Sequence, residues 1–125
     1  MQHQAAKAYQ QVGRQTTSPR DLEANLLSKS ASNLQRLKDD WETQTRNDLT
    51  AALLFNRRLW MVFVSSATRD DSTLPVDLRQ NIANLGLFIM KHTLALQVEP
   101  VPQKLDVLIN INRQLAAGLR ANAPE

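Results

Sequence analysis

The sequence has no cysteine, only three glycines and five prolines, and few aromatic residues, which make up 5% of the chain. The absence of cysteine excludes disulfides, thiolate catalysis and cysteine-based zinc sites, and it is compatible with a reducing compartment. The scattered glycines form neither a GxxxxGK[ST] loop nor a GxGxxG turn, so no motif for holding a nucleotide is present.

Long hydrophobic runs are also missing. The longest apolar stretches, residues 59–64 and 85–90, are too short to span a bilayer, and residues 1–7 lack the apolar segment of a secretory signal. We therefore expect a cytoplasmic protein that does not enter a membrane. The net charge is +3, but the basic residues are dispersed among acidic ones, which argues against direct binding of nucleic acid.

The patterning predicts an all-α fold. No window shows the period-two alternation of a half-buried strand, and the 42% hydrophobic content of 125 residues suffices for one modest core. We expect a single domain over residues 1–125, built as a compact bundle of about five helices. The first helix, roughly residues 3–13, is weak and wraps on a three-helix apolar core, and residues 1–14 are expected to be able to move.

Start signals divide the rest of the chain. Ser18 followed by Pro19 predicts an N-cap and first helical residue, opening a surface helix that runs to about Thr43. Asn47 or Asp48 is expected to cap the next helix. That third helix runs to about residue 66, Pro75 restarts a fourth helix, and a fifth follows the donor-poor segment 99–102. The last three helices carry most of the large apolar side chains and are expected to form the core.

Residues able to do chemistry are sparse. His92, one of two histidines, lies on the apolar stripe of the fourth helix with no carboxylate one turn away, so we expect a hydrogen-bonded core or edge residue. Asp39-Asp40 and Asp70-Asp71 are adjacent pairs, which point about 100° apart on a helix and cannot face each other for acid–base work. We therefore predict no metal, no cofactor and no enzymatic activity.

One phrase occurs twice: an Asn-Arg pair within an apolar frame, in residues 53–59 and again in residues 109–115. A buried amide without a partner costs about 1–3 kcal/mol, so a sequence that places one there twice is expected to satisfy both. Asn56 and Asn112 either bond to each other or to helix backbone, fixing register, or they line a groove that receives a partner's helix. The predicted groove residues are Asn56, Arg57, Trp60, Asn81, Asn84, Phe88, Asn112 and Arg113.

Four motifs in order resemble a known family. They are Thr-Ser-Pro-Arg-Asp at 17–21, Asn-Arg-Arg-Leu-Trp at 56–60, the segment 74–85 beginning Leu-Pro, and Leu-Ile-Asn-Ile-Asn-Arg at 108–113 with Gly-Leu following at 118–119. Together they make the chain similar to the FlaF family of flagellar biosynthesis regulators of alphaproteobacteria, over nearly its whole length.

The resemblance implies a small cytoplasmic helical protein that binds flagellin as a chaperone before export. It also implies an influence on flagellin synthesis together with the mRNA-binding regulator FlbT. Two other functions stay open: RNA-linked post-transcriptional control through Arg57, Arg58 and Arg79, and an adaptor that bridges export components. We predict that the weak first helix covers the groove and yields to flagellin, so that a chain lacking residues 1–13 keeps its fold and its flagellin binding.

Overall fold

The structure, a computed structural model, describes residues 18–121. In this part of the chain four α-helices follow one another: α1 (Pro19–Asp39), α2 (Arg46–Ala67), α3 (Val76–Val98) and α4 (Leu105–Ala121), with one turn of 3₁₀ helix at Pro102–Lys104. The predicted all-α class is confirmed. The count of about five helices included a helix over residues 3–13, which lies outside the described residues.

Helix α1 begins where the sequence predicted. Ser18 has extended backbone and its hydroxyl accepts a hydrogen bond from the Asp21 backbone N–H at 3.1 Å, while Pro19 occupies the first turn. The helix ends at Asp39, four residues before the predicted Thr43. The Asp40 backbone N–H closes the last turn on the Arg36 carbonyl, and the cations Arg36 and Lys38 lie in that turn, at the negative end of the helix dipole.

The N-cap of α2 corrects the prediction of Asn47 or Asp48. Thr45 is the cap: its hydroxyl accepts from the Asp48 backbone N–H at 3.1 Å, and the Asp48 carboxylate accepts from the Thr45 backbone N–H at 3.1 Å. This reciprocal capping box satisfies two backbone donors that the first turn would otherwise leave unpaired. Asp48 is therefore the partner of the cap.

Helix α1 packs one apolar side inward, but the prediction that the last three helices alone form the core is wrong. Its residues Ala24, Leu27, Ala31 and Leu34 are fully buried, and α1 packs more closely on α4 than on any other helix. Small side chains explain the difference, because alanines on α1 and Ala116 on α4 let the two backbones approach. The core is thus shared by all four helices.

The order of the helices around the bundle leaves one side open. Helix α1 lies between α4 and α2, and α3 packs on the far side of α2. Helices α2 and α3 are antiparallel, since Val64 lies against Gly86 and the Arg46 guanidinium donates to the Gln97 carbonyl at 3.3 Å. The remaining neighbours, α3 and α4, have few close backbone approaches, so a groove runs between them.

Candidate functional site

The repeated Asn-Arg phrase places both of its leading asparagines in the middle of the bundle. Asn56 on α2 and Asn112 on α4 have no exposed surface, and the Asn112 amide Nδ2 donates to Asn56 Oδ1 at 2.8 Å. The same oxygen accepts from the Ser30 hydroxyl of α1 at 2.8 Å, and Asn112 Oδ1 accepts from the Trp60 indole N–H at 2.8 Å. Ser30, Asn56, Asn112 and Trp60 form what we call the polar chain.

The polar chain satisfies most of the polar atoms that it buries. Both functional atoms of Asn112 and the indole N–H of Trp60 have partners, and only Nδ2 of Asn56 has none. These hydrogen bonds can form only when α1, α2 and α4 have the right positions along their axes relative to one another. The polar chain therefore fixes the register of the three helices. The prediction that Asn56 and Asn112 bond to each other is confirmed.

The groove-lining alternative is wrong for three of the eight predicted residues. Asn56, Trp60 and Asn112 are 0% exposed and are enclosed by the bundle, so a partner could contact them only if the helices separated.

The other five predicted residues are exposed but do not form one site. Asn81, Asn84 and Phe88 lie on α3, where the Asn84 amide oxygen accepts from Gln80 Nε2 at 3.2 Å. Arg57 lies on α2 and Arg113 on α4. In both phrases the arginine follows its buried asparagine directly, and a helix turns about 100° per residue, which directs the arginine outwards.

The groove between α3 and α4, which we call the α3–α4 groove, contains one of the predicted residues. It has a volume of about 410 Å³ and combines aliphatic and amide side chains. Its lining residues are Leu78, Asn81, Leu85, Ile111, Gln114, Leu115 and Gly118. Of the predicted residues only Asn81 is among them. A Cβ added to Gly118 would meet no atom within 4 Å, so this glycine leaves space at the groove end.

Phe88 lies on α3, three residues beyond Leu85, and does not line the groove. Its ring is 43% exposed and stacks on the His92 ring, with centroids 5.5 Å apart and planes at 14°. His92 Nε2 in turn bonds to the Lys104 carbonyl at 2.6 Å, which ties α3 to the 3₁₀ turn before α4. The expectation of a hydrogen-bonded edge histidine is confirmed.

Sequence reasoning missed most of the groove. Leu78 and Leu85 belong to the same apolar stripe as His92, which predicts core packing, whereas both are half-buried beside the opening. Ile111 and Gln114 on α4 were not singled out. Gly118 was the available signal, because a glycine inside a helix removes a side chain from one position on its surface.

A larger cavity of about 600 Å³ lies between the second half of α1 and the first half of α2. Both signs of charge line it, with Lys29 and Arg36 as well as Asp40 and Asp48, and the Lys29 ammonium lies 6.0 Å from the centre of the Phe55 ring. Asp48 is already engaged in the helix cap. The balanced charges give this cavity no preference for either kind of ion.

Near the start of α1, the half-buried carboxyl of Glu23 lines a third cavity with the α2–α3 connector. Burial raises the pKa of Glu23 above its ordinary value, and nearby Arg20 opposes that shift. One oxygen of Glu23 has no hydrogen-bond partner, and the Arg20 guanidinium instead donates to the Thr73 hydroxyl. Glu23 is a half-buried group whose charge is poorly compensated.

Within residues 18–121, no cluster of three or more histidine or acidic side chains could hold a metal ion. None of the four described helices is both long enough and apolar enough to cross a bilayer.

Comparison with known proteins identifies the family. No curated protein and no solved structure matched the chain. The model of the family described as flagellar protein FlaF matches residues 5–119, which include all of α1, α2 and α3 and α4 up to Leu119. The chain therefore belongs to the FlaF family of flagellar proteins.

Proposed function

We propose that this chain is a cytoplasmic, non-enzymatic chaperone that binds flagellin before export and that it modulates flagellin synthesis. Membership of the FlaF family supports a flagellar role, and the α3–α4 groove supplies a surface for a helical segment. The observation that carries the proposal is the combination of aliphatic and amide side chains along the open side of the bundle.

The groove has the dimensions of a short helix-binding site. Leu78 and Leu85 are seven residues apart on α3, which corresponds to about 10 Å along the helix axis, or two turns. An amphipathic helix presents apolar side chains at positions i, i+4 and i+7 over the same length. The terminal segments of flagellin are amphipathic helices that polymerise when paired, so a chaperone must cover their apolar sides.

The composition of the groove also suits a partner that must later be released. Four aliphatic side chains supply moderate apolar contact, and Asn81 and Gln114 supply hydrogen bonds that depend on the register of the bound helix. Association carries a large entropic cost, so a small contact area keeps the affinity limited. We expect a complex that forms in the cytoplasm and dissociates when the export apparatus engages flagellin.

Flagellin binding is tested by co-purification from a flagellin-expressing host, followed by size-exclusion chromatography with mass measurement. We expect a one-to-one complex. Titration calorimetry then measures the affinity of the purified chain for flagellin. A chain that captures no flagellin in either experiment contradicts the proposal.

Substitutions at two adjacent positions of α3 test whether flagellin binds in the groove. Asn81→Arg puts a long side chain into the groove, whereas Gln80→Arg puts the same side chain on the neighbouring exposed surface. We expect the first variant to bind flagellin about tenfold more weakly and the second to bind normally, with equal melting temperatures. If the two variants have equal affinities for flagellin, flagellin does not bind in the α3–α4 groove.

A second measurement separates the chaperone from RNA-linked control. If the chain bound flagellin transcript through Arg57, Arg58 and Arg79, the affinity would fall steeply with salt concentration, because each phosphate contact releases counterions. We expect no transcript binding even at low salt. Salt-dependent binding that is lost in an Arg57→Glu and Arg58→Glu double variant would favour the RNA-linked function acting with FlbT.

A further inference from the structure

A second surface, separate from the groove, lies along the outer side of α2 and α3. It combines exposed apolar side chains with arginine and lysine. Leu54 and Met61 on α2 are 40% and 51% exposed, and Leu87 and Leu94 on α3 are each 60% exposed. We call this surface the α2–α3 face; its members are Leu54, Arg57, Arg58, Met61, Leu87, Met90, Lys91, Leu94 and Val98.

The exposed side chains of this face form two rows, one on α2 and one on α3, and helix geometry places the rows side by side. On α2, Val64 is rotated about 40° and Met61 about 100° from the buried Trp60, at 100° per residue. On α3, Gly86 is rotated about 40° and Leu94 about 120° from the buried Ile82. Val64 and Gly86 are the contact between the helices. Because the pair is antiparallel and both rotations have the same sense, Met61 and Leu94 emerge on the same outer side.

The two rows also lie at matching heights. Leu54 is ten residues before Val64, and residue 96 is ten residues after Gly86, so Leu54 lies level with the stretch from Leu94 to Val98. From Leu87 to Val98 the row extends about 16 Å along the helix axis. The exposed apolar side chains of the two helices therefore share a strip about three helical turns long.

All charges on the α2–α3 face are positive. Each of the two helices contains a single carboxylate, Asp48 or Asp77, and both are in the first turn. Asp48 is held in the capping box, and Glu99, just beyond α3, lies 3.5 Å from the Lys104 ammonium. Within residues 18–121, no carboxylate forms an ion pair with Arg57, Arg58 or Lys91.

We propose that the α2–α3 face binds an acidic amphipathic helix of a partner protein, with apolar side chains in the strip and carboxylates beside Arg57, Arg58 and Lys91. Charge complementarity selects this occupant. Opposite charges on the two surfaces speed the encounter and exclude partners of like charge. This surface is independent of the α3–α4 groove.

Three other occupants fit the face less well. A second copy would bring Arg57, Arg58 and Lys91 against like charges, because a two-fold interface pairs the same patch with itself. A membrane surface gains about 1 kcal/mol from each cation, and three cations give little anchoring. An RNA strand needs stacking platforms between its phosphate contacts, and the members of this face are aliphatic and basic, with no aromatic ring.

A designed peptide tests the proposal. The probe is a synthetic 18-residue helix with leucines at i, i+4 and i+7 and glutamates on both flanks, carrying a fluorophore for anisotropy measurements. Its matched control has lysine at every glutamate position. We expect the glutamate peptide to bind the full chain, more tightly at low than at high salt, and the lysine peptide not to bind. Equal binding of both peptides, or of neither, overturns the proposal.

Variants locate the bound peptide. Leu94→Glu puts a carboxylate in the strip, and Leu22→Glu makes the same change at a 54% exposed position of α1, on a different helix from the strip. We expect Leu94→Glu and Arg58→Glu each to weaken binding of the glutamate peptide about tenfold, and Leu22→Glu to leave it unchanged. Both leucines are exposed, so circular dichroism should show unchanged folding.

The rival occupants give different results in the same set of experiments. A dimer of the wild-type chain that Leu94→Glu converts to a monomer would assign the face to a second copy. Binding to phosphatidylglycerol vesicles or to polyuridylic acid that exceeds binding of the peptide, and that Arg58→Glu abolishes, would assign it to a lipid or an RNA. Each of these results would overturn the proposal.

Discussion

Replacing Asn112 with alanine removes the central link of the polar chain. The change deletes the acceptor for the Trp60 indole N–H and the donor to Asn56 Oδ1, both at 2.8 Å. Asn56 keeps the hydroxyl of Ser30, but the indole N–H is left buried without a partner. The amide also leaves a small cavity between α2 and α4.

The expected loss in the free energy of unfolding follows from these terms. Each hydrogen bond contributes about 1 kcal/mol net, and a buried donor without a partner costs about 1–3 kcal/mol. With incomplete closure of the cavity, we expect Asn112→Ala to destabilise the chain by about 3–5 kcal/mol. That is a large part of the 5–15 kcal/mol typical of single domains.

The measurement is urea unfolding followed by circular dichroism at 222 nm and by tryptophan fluorescence. The matched control is Asn110→Ala, which changes the other asparagine of the same phrase. Asn110 is exposed on the same helix, so its replacement is expected to alter stability by less than about 0.5 kcal/mol. Equal, small effects of the two changes would refute the argument that the buried amide fixes the bundle.

Three further predictions concern stability. Gly86→Ala should lower the free energy of unfolding by about 1–3 kcal/mol in urea titrations, because the new Cβ would lie 2.5 Å from Val64 Cγ2. The matched control is Gly118→Ala, whose new Cβ meets no atom within 4 Å and should not destabilise the protein. Thr93→Val should raise the melting temperature, since it removes a buried hydroxyl that has no partner, and an unchanged or lower value would contradict that accounting. Glu23→Gln should be more stable than wild type at pH 7. The folded state holds the Glu23 proton to a higher pH than the unfolded chain, so the stability of the wild type relative to the variant falls as the pH rises through the raised pKa. If the difference in the free energy of unfolding between the two proteins does not shrink below about pH 4, the argument from a buried charge is wrong.

Local signals predicted the helices well, because their causes lie within a few residues. Ser18 and Pro19 start α1 as expected, and the donor-poor segment after α3 is followed by a new helix. The cap of α2 was misplaced by two or three residues, because Thr45 and Asp48 both have the side chains of a cap and only the geometry of the box decides between them.

The arrangement of the helices was harder to predict, because it depends on contacts between distant residues. The close packing of α1 on α4 depends on Ala24 and Ala31, which contribute little to an apolar stripe and so made α1 look peripheral. The apolar stripe of α3 predicts core packing along the whole helix, although Leu78 and Leu85 border the open side. Periodicity shows which side of a helix is apolar, but not which neighbour covers it.

The repeated Asn-Arg phrase separates structure from recognition at successive residues. Asn56 and Asn112 are enclosed and hold the helices in register, and a role in recognition would require the bundle to open. Arg57 and Arg113 follow them on the surface, where charge can act on a partner. A substitution of either asparagine should therefore reduce binding only together with stability, whereas Arg57→Glu should change binding while the melting temperature stays the same. Measuring both quantities for each variant distinguishes the two roles within one motif.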